Sequence, residues 1–240
     1  MRFPSADPAA MLAALRAGDR PAALEAALEA YFGPAVRPKP PNLPPPLASL
    51  FTRLEPGLVR QNRLAIPTRE SRVFCIENQS CNHWALGDDS DDPPVVRDGT
   101  VTEPERLCGF AIQLVLFEAS MGCLHWSAGG YIAAGKRAPS LSGLSEVPLR
   151  PWTWPQQEMR VYVAPGIVAH MHGREGEERW VFASATTEEA LLALARENDV
   201  KWTGIEAAKR ALSDSEIGRE DGVQGRSDSE TSLSESKTRH

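Results

Sequence analysis

The chain has no apolar run approaching the ~20 residues that would span a bilayer, so no membrane span is expected. Its first twenty residues, "MRFPSADPAAMLAALRAGDR", break at Pro4, Asp7 and Pro8 and lack a continuous apolar stretch. They do not read as a secretion signal, and a cytoplasmic location is expected. Basic charge is also short: 26 Lys and Arg stand against 32 Asp and Glu, a net charge of −6. Phosphate-backbone binders neutralise their target with clustered cations, so the balance argues against nucleic acid and for a basic protein partner. No Gly-x-Ser-x-Gly elbow, glycine-rich phosphate loop or His-Glu-x-x-His occurs. The sequence therefore makes no positive case for an enzyme, and no cofactor is expected. Four cysteines, Cys75, Cys81, Cys108 and Cys123, form no Cys-x-x-Cys pair. A chain of 240 residues that is 42% hydrophobic needs no covalent staples, so reduced thiols and no structural metal are expected.

What is present reads as an α+β protein. Asp7-Pro8 and Asp19-Pro21 are helix starts, Met11, Leu12 and Leu15 and then Leu24, Leu28, Tyr31 and Phe32 are apolar stripes, and Gly18 and Gly33-Pro34 are stops. Residues 1–33 are thus an N-terminal helical hairpin. Seven prolines in residues 34–46 predict a stiff linker. Leu47, Leu50, Phe51 and Leu54 then fall on one helical face, closed by Pro56-Gly57, and open an α+β domain over residues 47–212. "RLAI", "RVFCIE", "HWAL" and "PVV" predict an antiparallel meander over 63–97, with Phe74 and Ile76 on one face and Val73 and Cys75 on the other. Thr102 with Glu105 matches a capping box for a helix whose stripe is Leu107, Phe110, Leu114 and Phe117. Residues 123–150 carry little signal. "EMRVYVAPGIVAHMHG" and "ERWVFAS" predict a second meander that closes or extends the sheet, followed by a helix capped at Thr186 and Glu189 and an anchoring Trp202. Residues 213–240, with seven serines, seven acidic residues and no Phe, Tyr or Trp, read as a disordered acidic tail.

The densest chemistry lies in "ENQSCNHWALGDDSDDPP", residues 77–94. Cys75, Cys81 and His83 lack zinc spacing, and "DDSDDPP" carries Pro93 where a calcium loop needs its glycine. Four acids on one turn do not imply the cleft and the general acid of a glycosidase. The stretch is read as a recognition edge made of Glu77, Asn78, Gln79, Trp84, Asp88, Asp89, Asp91 and Asp92, in which Trp84 supports an acidic turn stiffened by Pro93-Pro94. His170 and His172 alternate on a strand and share a face, a two-ligand geometry without a third ligand. The alternative reading is a small metal-dependent hydrolase built on Cys81, His83, His170 and His172.

The order "LPPPLASLFTRL", "IPTRESRVFCIENQSCNHWAL", "DDPPVV" and "CGFAIQLVLFEASMG", within residues 43–125, resembles the SUKH superfamily, to which the yeast cell-wall-assembly regulator also belongs. The resemblance implies an α+β binding protein without catalysis. Many bacterial members are immunity proteins that neutralise toxins, often nucleases, so a toxin domain is the implied basic partner and a regulatory scaffold the related role. The helical hairpin, the proline segment and the second meander lie outside the matching part.

Overall fold

A computed structural model describes residues 5–54, 61–135, 140–154, 158–174 and 176–207. The expected stop at Pro56-Gly57 and the tail over 213–240 lie outside these residues. Among the described residues, five helices and two antiparallel sheets make the expected α+β fold. Among the described residues no helix is long and apolar enough to cross a membrane.

Helices α1 (Ala9–Arg16) and α2 (Arg20–Phe32) form the hairpin. Asp19 caps α2 by accepting from the Ala22 N–H at 3.0 Å, and Gly33 ends it with φ of +81°. Helix α3 (Pro45–Arg53) starts inside the proline run, with Pro45 and Pro46 in its first turn, where a missing N–H breaks no helical bond. The run does not hold the hairpin apart. Leu24, Leu28 and Tyr31 share one core with Leu47, Leu50 and Phe110, and Arg53 reaches Glu25 at 2.8 Å.

The first sheet is a meander in chain order: β1 (Asn62–Leu64), β2 (Val73–Glu77), β3 (His83–Leu86), β4 (Pro94–Arg97) and β5 (Val101–Arg106). Strict alternation in β2 fails, because a register shift between Val73 and Cys75 buries Phe74 and Cys75 together. Strand β5 corrects the capping-box reading: Thr102 and Glu105 lie in an edge strand, which tolerates Pro104. Helix α4 (Leu107–Ser120) follows at once with Arg106 at its N-cap and no cap from that side chain. All fourteen of its residues are buried. Such a helix is not amphipathic, and it runs through the centre, in contact with α2, α3 and strands of both sheets.

The second meander neither closes nor extends the first sheet but builds another. Strands β6 (Trp126–Ile132), β7 (Ser145–Glu146), β8 (Met159–Ala164), β9 (Ile167–His172), β10 (Arg179–Ala185) and β11 (Lys201–Ala207) lie in the order β11-β6-β10-β9-β8-β7. Strand β6, "WSAGGYI", falls in the stretch of little signal; a side chain at Gly130 would collide with Lys201 and Trp202 of the neighbouring strand, so glycine is required there. Helix α5 (Glu188–Asn198) is capped one residue later than expected, by Thr187, whose oxygen accepts from Ala190 at 3.2 Å. Thr186 donates instead to the Gly166 carbonyl. Trp202 does anchor the region, its indole donating to the Leu191 carbonyl at 3.1 Å.

One face of this sheet, with Met159, Val161, Val163 and Val168, joins the α4 core. The other, with Ala169, Met171, Val181 and Ala183, packs under Leu191 and Leu194 of α5.

Candidate functional site

The eighteen-residue stretch from Glu77 does not form one edge. In an antiparallel meander successive turns lie at opposite ends of the strand between them, so Asn78 and Gln79 sit at one end of β3 and the acidic turn at the other. Glu77 is buried and accepts from the Cys81 N–H at 3.2 Å, which closes the β2–β3 turn. Asn78 and Gln79 are exposed, and Asn78 pairs with Gln61 on the β1 side.

Trp84 is fully buried and cannot touch a partner, which corrects its place among the recognition residues. Its indole donates to Glu103 Oε1 at 2.8 Å, and its ring packs against Phe110, Trp152 and Trp154 with centroids 5.6–5.9 Å apart. Burial raises the Glu103 carboxyl, while the Trp84 hydrogen bond and Arg97, 3.6 Å away, oppose the rise. This is a structural pin between β3 and β5.

The acidic turn divides into an outward part and an inward part. Asp88 accepts from both the backbone N–H and the hydroxyl of Ser90, a local turn that holds its carboxyl below the usual range. Asp89 is 96% exposed and meets Arg72 at 2.9 Å. Asp91 is exposed and makes no hydrogen bond or ion pair with a described residue. Asp92 is half-exposed but faces the helix: its Oδ1 accepts from the Cys108 N–H at 2.7 Å, its Oδ2 lies 3.8 Å from Arg106, and Pro93 O accepts from Leu107 at 2.9 Å. The N-terminus of α4 is therefore capped by the acidic turn, and the negative charge faces the positive end of the helix dipole. Arg106 fixes the same corner by donating to Asp92 O. Asp92 accordingly serves the fold, leaving Asp88, Asp89 and Asp91 as the exposed acids.

Clefts flank the turn. One of about 560 Å³ has Leu43, Pro44, Arg69, Arg72 and Asp88 in its wall. Another of about 490 Å³ lies against Arg20, Lys39, Pro45 and Asp92. Asp91 lines both, so the turn is the ridge between them. Three of the nearby cations are paired, Arg20 with Glu105 at 2.9 Å, Lys39 with Glu25 at 3.3 Å and Arg72 with Asp89, while Arg69 makes no ion pair with a described residue. Sequence reasoning missed Arg72 and the two clefts, which depend on tertiary packing; the Asp-x-Ser pattern of the turn was readable.

The four residues of the hydrolase reading are not brought together. Cys81 lies in the β2–β3 turn and His83 in the first sheet, His170 and His172 lie in the second, and among the described residues no group of three or more His, Cys, Asp or Glu could hold a metal. His170 and His172 do share a face, with ring centroids 5.9 Å apart. Burial, aided by His172, pushes the His170 imidazole down to about 3, so it is neutral, with Nδ1 2.6 Å from Ser120 Oγ. Burial lowers His172 as well. Among the described residues no disulfide joins Cys75, Cys81, Cys108 or Cys123.

Compared with models of protein families, with curated proteins and with solved structures, the chain matches none.

Proposed function

We propose that the protein is a non-catalytic cytoplasmic binding protein that docks a basic protein surface, in the manner of an immunity protein neutralising a toxin or of a regulatory scaffold. The SUKH resemblance of residues 43–125 motivates the class, and the net charge of −6 motivates a protein rather than a nucleic-acid partner. The observation that carries the reading is the ridge: Asp88, Asp89 and Asp91 project from a turn that is fastened at its base by Asp92 and Arg106 and lies between two clefts. A fixed array of like charges with recesses on either side can steer a cationic surface and then admit its side chains. Exposed charges of this kind act chiefly on the association rate and weaken with salt.

The test is affinity capture from the source cell with the wild-type chain and with a variant in which Asp88, Asp89 and Asp91 are all asparagine, each at low and at high salt. A partner held by the wild type at low salt, released by high salt and absent from the variant supports the reading. Equal capture by both chains would reject it.

A further inference from the structure

Sheet edges expose unpaired backbone donors and acceptors, and folded proteins blunt them with short strands, prolines or charge. Of the four edges among the described residues, three are blunted in this way. Strand β1 has three residues, β7 has two, and β5 contains Pro104. Strand β11 is the exception, with seven residues, no proline and β6 as its one neighbour among the described residues. A register shift between Trp202 and Gly204 sets Thr203 outside the pairing, and its hydroxyl donates to Gly129 O at 2.7 Å.

The surface beside this edge is hollow. Gly204 pairs with Gly129, which pairs with Phe182, so two positions without side chains lead from the open edge to an aromatic ring. Phe182 already covers Gly129, where an added Cβ would stand 3.1 Å from its ring, whereas no described residue lies within 4 Å of the Cβ position of Gly204. The hollow is a cavity of about 310 Å³ against Gly129, Phe182, Thr203, Gly204 and Glu206. Glu206, two residues on, is exposed and makes no ion pair with a described residue.

We propose that β11 binds an extended peptide from another protein as an added antiparallel strand, one that carries a cationic residue and, two positions later, an aromatic one. Backbone hydrogen bonding along the open edge supplies a binding mode that does not depend on sequence, and the alternate side chains supply selectivity. The residue opposite Glu206 is Lys or Arg, by charge complementarity across the strand pair. Two positions further along the peptide, a ring lies over Gly204 and reaches toward Phe182; an aromatic neighbour is the residue type that stabilises a strand glycine. Residues 208–240 of this chain contain no Phe, Tyr or Trp and do not meet this requirement. The site is on the second sheet, apart from the acidic turn, and does not depend on the function proposed above.

The experiment uses full-length protein and fluorescein-labelled seven-residue peptides of alternating Val and Thr with Lys-x-Trp, Glu-x-Trp or Lys-x-Ala at the centre, read by fluorescence anisotropy. Gly204→Val fills the hollow from within, and the open space at that position lets it fold. Glu206→Lys reverses the charge. The wild type should prefer Lys-x-Trp, Gly204→Val should weaken it about tenfold, and Glu206→Lys should transfer the preference to Glu-x-Trp, with melting midpoints unchanged. The variant lacking the acidic turn's charges should bind Lys-x-Trp like the wild type, so the two proposals fail separately. Absence of binding, equal binding of Lys-x-Ala, indifference to Glu206→Lys, or a dimer in sedimentation that Glu206→Lys dissolves would overturn the proposal.

Discussion

The two sheets bury themselves differently. The first closes its inner face on α4 with large rings and pinned carboxylates: Phe74 and Trp84 are fully buried, Glu103 receives the Trp84 indole, and Glu118 of α4 receives the Asn62 amide at 2.7 Å. The second packs smaller aliphatic residues under α5, while its α4-facing side leaves Trp180 39% exposed and Tyr131 and Phe182 half-buried. Completeness of cover decides where each half can meet another molecule. The first sheet's inner face is closed to a partner, so its charge is offered at a turn, as at the acidic ridge; the half-covered second sheet can do so through a face and an edge.

Breaking the sealed half should have the largest effect. Trp84→Ala removes a buried indole and leaves the Glu103 carboxylate without its donor, so urea unfolding should show a loss of roughly 3–5 kcal/mol. A loss under about 1 kcal/mol would mean that the first sheet is not closed by this ring.

The second half should show itself in acid. His170 is neutral when folded, with its pKa pushed down to about 3, and it titrates near 6.5 when unfolded. The unfolded chain therefore binds the extra proton between those values. Stability from this group is complete above about pH 6.5 and falls with pH toward 3, by on the order of 1 kcal/mol per unit. His170→Asn keeps an amide near the Nδ1 position and should flatten the dependence of the melting midpoint between pH 6.5 and 5. Equal slopes in the two chains would show that His170 does not titrate this way.

A smaller effect sharpens the boundary between fold and surface. Asp92→Ala removes the cap of α4 and should lower stability by about 1 kcal/mol, measured by chemical denaturation. An unchanged midpoint would mean that Asp92 belongs with the outward acids.

Sequence periodicity exposed most of the elements, because helix stripes such as Leu24, Leu28 and Tyr31 and strands such as "RVYV" are set by local apolar spacing. It failed where the cause is distant. The cap of α4 comes from Asp92, sixteen residues before Cys108, whereas Thr102 and Glu105 offered a local pattern that strand pairing overrode. Strand β6 was hidden because its glycines answer to Trp202 and Phe182 on neighbouring strands. The acids of the site were legible as a cluster, but which of them face outward depends on the packing of α4 beneath the turn.

The most direct test of that division measures stability and partner capture together in two variants: Asp92→Ala, which removes the acceptor of the Cys108 N–H, and the triple Asp88→Asn, Asp89→Asn, Asp91→Asn. The triple variant should melt like the wild type and lose the partner at low salt, while Asp92→Ala should melt lower and retain it. A triple variant that is destabilised yet keeps the partner, or an Asp92→Ala chain that loses the partner without melting lower, would contradict the division.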